Sequence, residues 1–229
     1  MWLLQCQGGL MMKSFLYTIL IVTVSLNFFA FDRLRNTDEP SRFENMVSYL
    51  RAVTEVDQAR QAARRKVVNI IRRFNPDMPV SQSEEIADEI YEMSVKYPNL
   101  DLDLICATIT HESGRTWDPQ AISKAGAMGL MQIMPATGKW LARFESIDWL
   151  SAEDVLFDPV YNIRLGTRYL SALVETYDLY GGLAAYNGGG KRVRLWLANQ
   201  KNDDLLWAET RDYVPFVLKL YEEFRSESL

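Results

Sequence analysis

The chain has 229 residues, of which 48% are hydrophobic, so it is long enough for one sizeable core and an additional segment. Its formal net charge of -5 argues against nucleic acid as the main ligand. The single histidine excludes metal sites built from several histidines, and the two cysteines, Cys6 and Cys106, form neither a disulfide framework nor a metal motif. We therefore expect no cofactor and no metal.

An uncharged apolar segment follows Lys13 and covers residues 15–31. It is near the minimum of about 17–20 residues for spanning a bilayer, and it exceeds the roughly 7–15 residues of a signal-peptide core. We predict that residues 1–31 are a signal anchor that contacts the membrane through 15–31. A cleaved signal peptide and a buried helix of a soluble domain are the alternatives.

A second helical pattern lies between residues 43 and 73, where apolar residues recur at helical spacing without any Gly or Pro. Its end is rich in arginine and lysine. We interpret residues 32–80 as a helical linker. The basic end is either a solvated helix face or a surface that binds a cell-envelope partner or lipid headgroups.

From residue 81 onward the apolar spacing is helical almost throughout, and no alternating strand pattern stands out. Helices are predicted from a capping box at Ser81 and Glu84, from Asp101 to near Glu112, over 160–177 and over 206–224. The predicted fold class is all-α, with residues 81–229 as one domain.

Glu112 is the first candidate for chemistry, because it closes the apolar run 104–109. In a helix from Asp101 it shares a face with Ile105 and Ile109, so it points where that helix packs. A buried carboxylic acid has a raised pKa and is protonated near neutrality, as a general acid must be. On the helix alone, a glutamate whose head reaches solvent is the favoured interpretation, and the surrounding segments change that balance.

Three further segments have unusual compositions. Residues 126–135 combine glycines and methionines with Gln132, which suits either a sugar with apolar faces and polar edges or a tight helix crossing. Tyr186 precedes three glycines, at a turn where its hydroxyl can reach a reactive centre or simply cap a helix. Glu209 opens the last helix, where a negative charge favours the N-terminus.

These four elements, taken in order, resemble the catalytic domain of family 1 lytic transglycosylases of the soluble-lytic-transglycosylase type. The resemblance covers about residues 82–226 and implies a lysozyme-like fold of the goose-lysozyme type. The matching strings are Glu112-Ser113, Gly129-Leu-Met-Gln-Ile-Met-Pro135, Asn162-Ile-x-x-Gly166-x-x-Tyr169-Leu170, Ala185-Tyr-Asn-Gly188 and Glu209-Thr-Arg-x-Tyr-Val214.

The resemblance implies cleavage of the β-1,4 bond between N-acetylmuramic acid and N-acetylglucosamine in peptidoglycan. The muramic acid 6-hydroxyl then attacks C1 and leaves a 1,6-anhydro end. Glu112 is implied to protonate the leaving oxygen and afterwards to deprotonate the 6-hydroxyl. A single acid explains why no second carboxylate is evident near it, unlike in ordinary glycosidases. The substrate implies the periplasmic face of the inner membrane, or the periplasm or exterior if residues 1–31 are cleaved.

The same resemblance implies that six further residues bind the glycan strand. They are Ser123, Gln132, Met134, Tyr186, Asn187 and Glu209. Ser123 is implied to contact the sugar acetamido group, Tyr186 to hydrogen-bond near the scissile bond, and Glu209 to order Tyr186 or the substrate.

The chain departs from the family pattern beside Glu112. Three residues separate Ser113 from Trp117, two more than the family commonly has, so the placement of Ser123 depends on a longer loop. His111 stands where the family often has glutamine, and we interpret it as a surface histidine or as a residue that tunes Glu112.

Two other functions remain open on the sequence. One is a lysozyme-like hydrolase on the same scaffold, which would produce reducing ends because water attacks. The other is a non-catalytic glycan-binding module that holds a cell-envelope assembly through residues 43–73.

Overall fold

The computed structural model describes residues 39–227. Eight α-helices and one short 3₁₀ helix make up this part of the chain, and its β-structure is limited to isolated bridges that join Ile122 to Met128 and Met128 to Ile133. The helices are α1 (Glu39–Phe74), α2 (Val80–Lys96), α3 (Leu102–Glu112), α4 (Pro135–Ala142), α5 (Ala152–Leu156), α6 (Pro159–Gly188), α7 (Gly190–Ala198) and α8 (Ala208–Ser226), with the 3₁₀ helix at Asp203–Leu205. The all-α prediction is thus confirmed for the described residues.

The chain divides into two compact units between Val56 and Asp57. In the described part of the first unit, the side chains of α1 from residue 44 to 56 are almost all exposed. None of the described helices is both long and apolar enough to cross a membrane. The predicted anchor, residues 15–31, lies outside the described residues.

The second unit is built around α3, whose residues 104–110 are all buried. The part of α1 that follows Asp57 packs against this core through buried side chains from Ala63 to Ile71. A buried ion pair reinforces the packing, with Lys66 Nζ 2.8 Å from Asp103 Oδ1. This unit therefore begins well before residue 81, the start of the domain predicted from sequence.

The helix boundaries test the local sequence signals. Asp101 is the N-cap of α3 and accepts a hydrogen bond from the Leu104 N–H, as predicted. The capping box at Ser81 is wrong, because α2 begins at Val80 after Pro79 and has no side-chain cap. Proline fixes its own φ, and with Pro79 as the N-cap this helix starts two residues earlier than the capping box predicts.

The long helix α6 changes direction at Asp178, whose backbone (φ 66°, ψ 178°) is not helical. The Asp178 carboxylate accepts a hydrogen bond from the Gly181 N–H at 2.8 Å and so caps the second half of the helix. The helix predicted over 160–177 therefore ends at this break. The second half, residues 179–188, carries the segment around Tyr186 back toward α3.

Candidate active site

Glu112 is the last residue of α3 and is partly buried at the edge of the core. Burial raises the pKa of its carboxyl to about 7, an interaction with the Tyr213 hydroxyl lowers it, and the negative charge of Glu209 raises it. No cation is among these influences. The carboxyl is therefore half protonated near neutrality, which is the state that a general acid requires.

Two tyrosine hydroxyls accompany this carboxyl. The pKa of Tyr213 and that of Tyr186 are both well above the ordinary value, first because of burial and then because of the negative charge of Glu112. The Tyr213 hydroxyl is buried, and among the described residues it has no partner at full hydrogen-bond geometry. It faces Glu112 closely enough for each group to affect the pKa of the other. We regard this as a close contact short of a formed hydrogen bond.

Tyr213 is a site residue that stands in one of the matching strings without a predicted role. The available signal was its spacing from Glu209, because residues four apart share one face of a helix. Both lie on α8, and both influence the pKa of Glu112. That face of α8 therefore forms one wall of the site.

His111 was interpreted as either a surface residue or a residue that tunes Glu112, and the structure places it partly inside the protein. Its ring packs edge to face against Tyr213, with centroids 4.6 Å apart, and against Phe216, with centroids 5.2 Å apart. Burial lowers the pKa of His111, while Glu209 raises it. A surface histidine is thus the wrong description, because α8 covers one side of the ring.

Tyr186 joins the site to the glycine-rich segment. Its hydroxyl donates a 2.7 Å hydrogen bond to the backbone oxygen of Met131. Its ring also lies against Tyr169, with centroids 5.5 Å apart. The hydroxyl was predicted to serve the scissile bond, and in this structure it holds the 121–134 segment against α6.

The 121–134 segment is fixed by Asn162, a buried residue of α6. The Asn162 amide donates to the backbone oxygens of Met128 and Leu156 and accepts from the Met131 N–H at 2.8 Å. Gly129 has a left-handed backbone (φ 78°), and a Cβ there would collide with Asn162 and Leu156. This glycine is therefore required by both conformation and space.

Gln132 and Met134 lie at the end of this segment. Gln132 uses its side-chain N–H groups within the protein, donating to the backbone oxygens of Ala121 and Gly129. Its amide oxygen is left as the group available to a ligand. Met134 is 44% exposed and is the N-cap residue of α4, so its thioether offers an apolar surface at the protein exterior.

Ser123 follows the longer loop noted in the sequence. Trp117 is buried within that loop, and its indole N–H donates to Thr110 Oγ1 at 3.0 Å. Ser123 Oγ accepts a hydrogen bond from the Ala127 N–H at 3.0 Å, so the serine supports the turn that starts the 121–134 segment. The longer loop is thus closed over a buried tryptophan.

Asn187 and Glu209 occupy the junction between α6 and α8. Asn187 Oδ1 accepts a 2.6 Å hydrogen bond from Thr210 Oγ1, which ties the end of α6 to the first turn of α8. Glu209 is exposed and influences the pKa of both Glu112 and His111. Among residues 39–227 no cluster of histidine, cysteine and acidic side chains could hold a metal ion.

A helical architecture with a partly buried acid at the end of a core helix fits the lysozyme-like transglycosylase fold that the resemblance implied. Residues 90–205, about half of the chain, match the transglycosylase SLT domain. The chain belongs to this family.

Named relatives agree with this assignment. The chain is 38% identical to the soluble lytic murein transglycosylase of Escherichia coli over 112 residues, which is 44% of this chain and 17% of that protein. It is 29% identical to the membrane-bound lytic murein transglycosylase C of Shigella sonnei over 195 residues, which is 79% of this chain and 53% of that protein. The chain thus spans only part of the length of these relatives.

Solved structures show the same similarity. The 70 kDa soluble lytic transglycosylase of Escherichia coli superposes with a TM-score of 0.53 at 28% identity, over 71% of this chain and 29% of that one. An inactive mutant of lytic transglycosylase Slt from Pseudomonas aeruginosa gives a TM-score of 0.52 at 31% identity, over 59% of this chain and 23% of that one.

Proposed function

We propose that the protein cleaves the bond between N-acetylmuramic acid and N-acetylglucosamine in peptidoglycan and leaves 1,6-anhydro ends. The observation that carries this proposal is the Glu112 carboxyl, whose pKa is raised to about 7 by burial where no cation offsets it. A group in that state can give a proton and later take one back at neutral pH. Relatives named as murein transglycosylases supply the substrate class.

Glu112 serves both halves of the reaction. It first donates its proton to the glycosidic oxygen while the bond from that oxygen to C1 of the muramic acid breaks, so that the oxygen departs as the 4-hydroxyl of the N-acetylglucosamine. The resulting carboxylate then takes the proton of the 6-hydroxyl while the 6-oxygen bonds to C1. No water is consumed, and Glu112 ends protonated as it began.

The surroundings of Glu112 favour this single-acid mechanism over hydrolysis. A hydrolase of the usual kind needs a second carboxylate across the scissile bond. Glu209 is the one carboxylate that influences the pKa of Glu112, and it is an exposed residue on the first turn of α8. Its charge adds to the effect of burial on the Glu112 pKa, which is a supporting role.

The glycan strand is proposed to lie along the 121–134 segment, where the Gln132 amide oxygen accepts no hydrogen bond from the described residues and the Met134 side chain is exposed. Ser123 and Tyr186 hold the backbone of this wall through their own hydrogen bonds, and Asn187 ties the end of α6 to the first turn of α8. In this arrangement Tyr186 adds to binding by fixing the backbone of Met131. The Tyr186 hydroxyl can bind the substrate directly only after its hydrogen bond to the Met131 backbone oxygen breaks.

We also propose that the protein acts in the cell envelope. The relatives are murein enzymes, and one of them is named as membrane-bound. Residues 15–31 would supply the anchor, the unit that begins at Asp57 would be the catalytic domain, and the exposed residues 44–56 of the predicted 43–73 helix would be the surface for an envelope partner. A pull-down with and without residues 43–56 tests the partner role, and equal recovery of partners would dismiss it.

The deciding experiment is mass spectrometry of the products that the full chain releases from purified peptidoglycan. We expect 1,6-anhydro ends from the unaltered protein and none from Glu112→Gln. Glu145→Gln is the matched control, because Glu145 is a partly buried glutamate that pairs with Lys96 and Arg168 and has no proposed part in the reaction. Reducing ends would move the assignment to a hydrolase, and release of neither product would leave a glycan-binding role.

A further inference from the structure

A cavity with a volume of about 490 Å³ lies beside α4. It is lined by Ala136, Lys139, Trp140, Ala142, Arg143, Ile147, Asp148 and Trp149. None of these residues belongs to the proposed catalytic site. The volume is in the range of about 300–1,000 Å³ that is typical of pockets for small ligands.

The two tryptophans give this cavity an amphipathic wall. Trp140 is 49% exposed, and its ring packs edge to face on Phe144 with centroids 5.0 Å apart. Trp149 is partly buried, and Gly138 leaves space for its ring because a Cβ there would approach it to 3.0 Å. Neither indole N–H donates a hydrogen bond within residues 39–227, whereas those of Trp117 and Trp196 do. Flat apolar faces beside free donors suit a sugar ring.

Two cations flank this wall. Lys139 and Arg143 are exposed, and neither forms an ion pair with any described residue. The Arg143 guanidinium is held near the tryptophan by a 3.3 Å hydrogen bond from its Nε to the backbone oxygen of Trp140. Asp148 is the single acid in the lining. In a chain with a net charge of -5, this local excess of positive charge favours an anionic ligand.

We propose that this cavity is a second, non-catalytic site for an anionic glycopeptide of the peptidoglycan. This inference rests on the proposed function for its ligand class. The muramic acid lactyl group and the peptide stem carry carboxylates, which Lys139 and Arg143 attract, while a sugar or the stem packs on Trp140. The residues that line the cavity follow the proposed glycan wall directly in the sequence. Trp140 follows Met134 by six residues of helix, or about 9 Å along the axis.

Such a site would keep the enzyme on its polymeric substrate between cleavage events. A second contact raises the effective concentration of the strand at the catalytic site without any change in the chemistry. The site therefore affects binding to long, cross-linked material more than cleavage of any one bond.

The test uses the full-length Glu112→Gln protein in detergent, so that ligand binds without turnover. The probe is a soluble disaccharide tetrapeptide from peptidoglycan, compared with neutral chitotetraose. Binding is followed by the ¹⁵N indole signals of Trp140 and Trp149, which are assigned from Trp140→Phe and Trp149→Phe. We expect the disaccharide tetrapeptide to shift both signals, and chitotetraose to shift them at least tenfold more weakly.

The charge requirement is tested by Lys139→Ala with Arg143→Ala. We expect the affinity reported by the Trp140 signal to fall about tenfold or more, because each cation adds attraction to the ligand carboxylates. Arg65→Ala with Lys219→Ala is the matched control, since it removes one exposed lysine and one exposed arginine from other helices. That pair should leave the affinity unchanged.

Three outcomes would overturn the proposal. They are the absence of any Trp140 shift at millimolar disaccharide tetrapeptide, equal affinity for chitotetraose, and a Trp140 signal that responds to protein concentration instead of ligand. The last result would identify the face as an interface between copies of this chain. These three binding outcomes do not depend on the cleavage reaction. That reaction is tested separately by looking for 1,6-anhydro products of the unaltered enzyme.

Discussion

Glu112 and Glu145 are two glutamates that sit in partly buried positions and have opposite electrostatic environments. Burial raises the pKa of both, but around Glu145 hydrogen bonds from Lys96, Arg168 and Tyr97 outweigh it and lower the pKa below its ordinary value. Glu112 has only a tyrosine hydroxyl to lower its pKa, and the value stays at about 7. Glu145 is thus a structural anion and Glu112 a candidate acid, because cations surround only Glu145.

The difference has a direct consequence for the fold. Glu145 lies between α4 and α5 and connects Lys96 of α2 to Arg168 of α6, each through a 2.7 Å ion pair. Its side chain is 5% exposed, so the charge is accepted inside the protein only because it is neutralised there. Glu112 has no such partner, and the protein tolerates it by leaving it protonated for much of the time.

The largest expected effect comes from removing the two carboxylates in turn. Glu112→Gln should reduce the rate of peptidoglycan cleavage by about 10³-fold or more, since general acid–base catalysis contributes about 10²–10⁴-fold. Glu145→Gln should change the rate of the folded protein only a few-fold. The measurement is the initial rate of product release, normalised to the folded fraction. A Glu145 variant as inactive as the Glu112 variant would contradict the assignment of catalysis to Glu112 and of a structural role to Glu145.

The pH dependence gives the next largest effect. Because Glu112 must be protonated in the free enzyme, kcat/KM should fall tenfold for each pH unit above about 7 and reach about a hundredfold loss at pH 9. Ionisable groups on the peptide stem of the substrate are another source of an alkaline limb, and removing the stem eliminates it. The assay should therefore be repeated on glycan strands without peptides. A profile that stays flat to pH 9 would contradict the assigned role.

Local signals in the sequence predicted several of these features, and distant packing explains the others. Asp101 and the apolar face of α3 were readable because a cap and a helix face depend on neighbours within a few residues. The site around Glu112 was located through the matched strings. By contrast, the burial of His111 depends on α8, about a hundred residues later in the chain. No periodicity within α3 could show that contact.

The hydrogen-bond partners of the Gln132 side chain could not be predicted from the sequence either. An amide offers both donors and an acceptor, and the resemblance implied that Gln132 binds the glycan strand. In the structure the N–H groups of Gln132 bond to Gly129 and Ala121, because a left-handed backbone at Gln132 (φ 47°) turns the side chain back on its own segment. Backbone conformation of this kind is set by the clamp at Asn162, which the sequence did not reveal as such.

Stability should respond to the two glutamates with opposite signs. The raised pKa of Glu112 means that the folded state holds its proton more tightly than the unfolded state. This cost of deprotonation is absent below pH 4.5, grows as the pH rises to about 7, and is constant above that. Glu112→Gln should therefore stabilise the protein by about 2–3 kcal/mol at pH 8, with little difference at pH 4. Thermal unfolding at the two pH values measures this, and an equal shift at both would contradict it.

Glu145→Gln should destabilise the protein by about 1–3 kcal/mol at pH 7, because it weakens charged hydrogen bonds to Lys96 and Arg168. The lowered pKa of Glu145 means that this stability is present above the unfolded pKa of 4.5. It is lost as the pH falls through the folded value. The destabilisation should therefore shrink in acid, where the native carboxylate is itself protonated. A denaturant titration at pH 7 and pH 3 checks the trend, and a larger effect at pH 3 would reverse the argument.

The smallest effect concerns Glu209, which raises the pKa of Glu112 from an exposed position. Glu209→Gln should move the alkaline limb of kcat/KM to lower pH, and the shift should shrink in high salt because charges at the surface are screened. The contribution from burial does not respond to salt in this way. Glu175→Gln, an exposed residue on α6, is the control and should leave the limb in place. If Glu209→Gln shows an identical limb at low salt, burial and Tyr213 alone set the pKa of Glu112. The contrast with Glu145 would then rest on desolvation and on the lack of cations, and the like charge of Glu209 would add nothing.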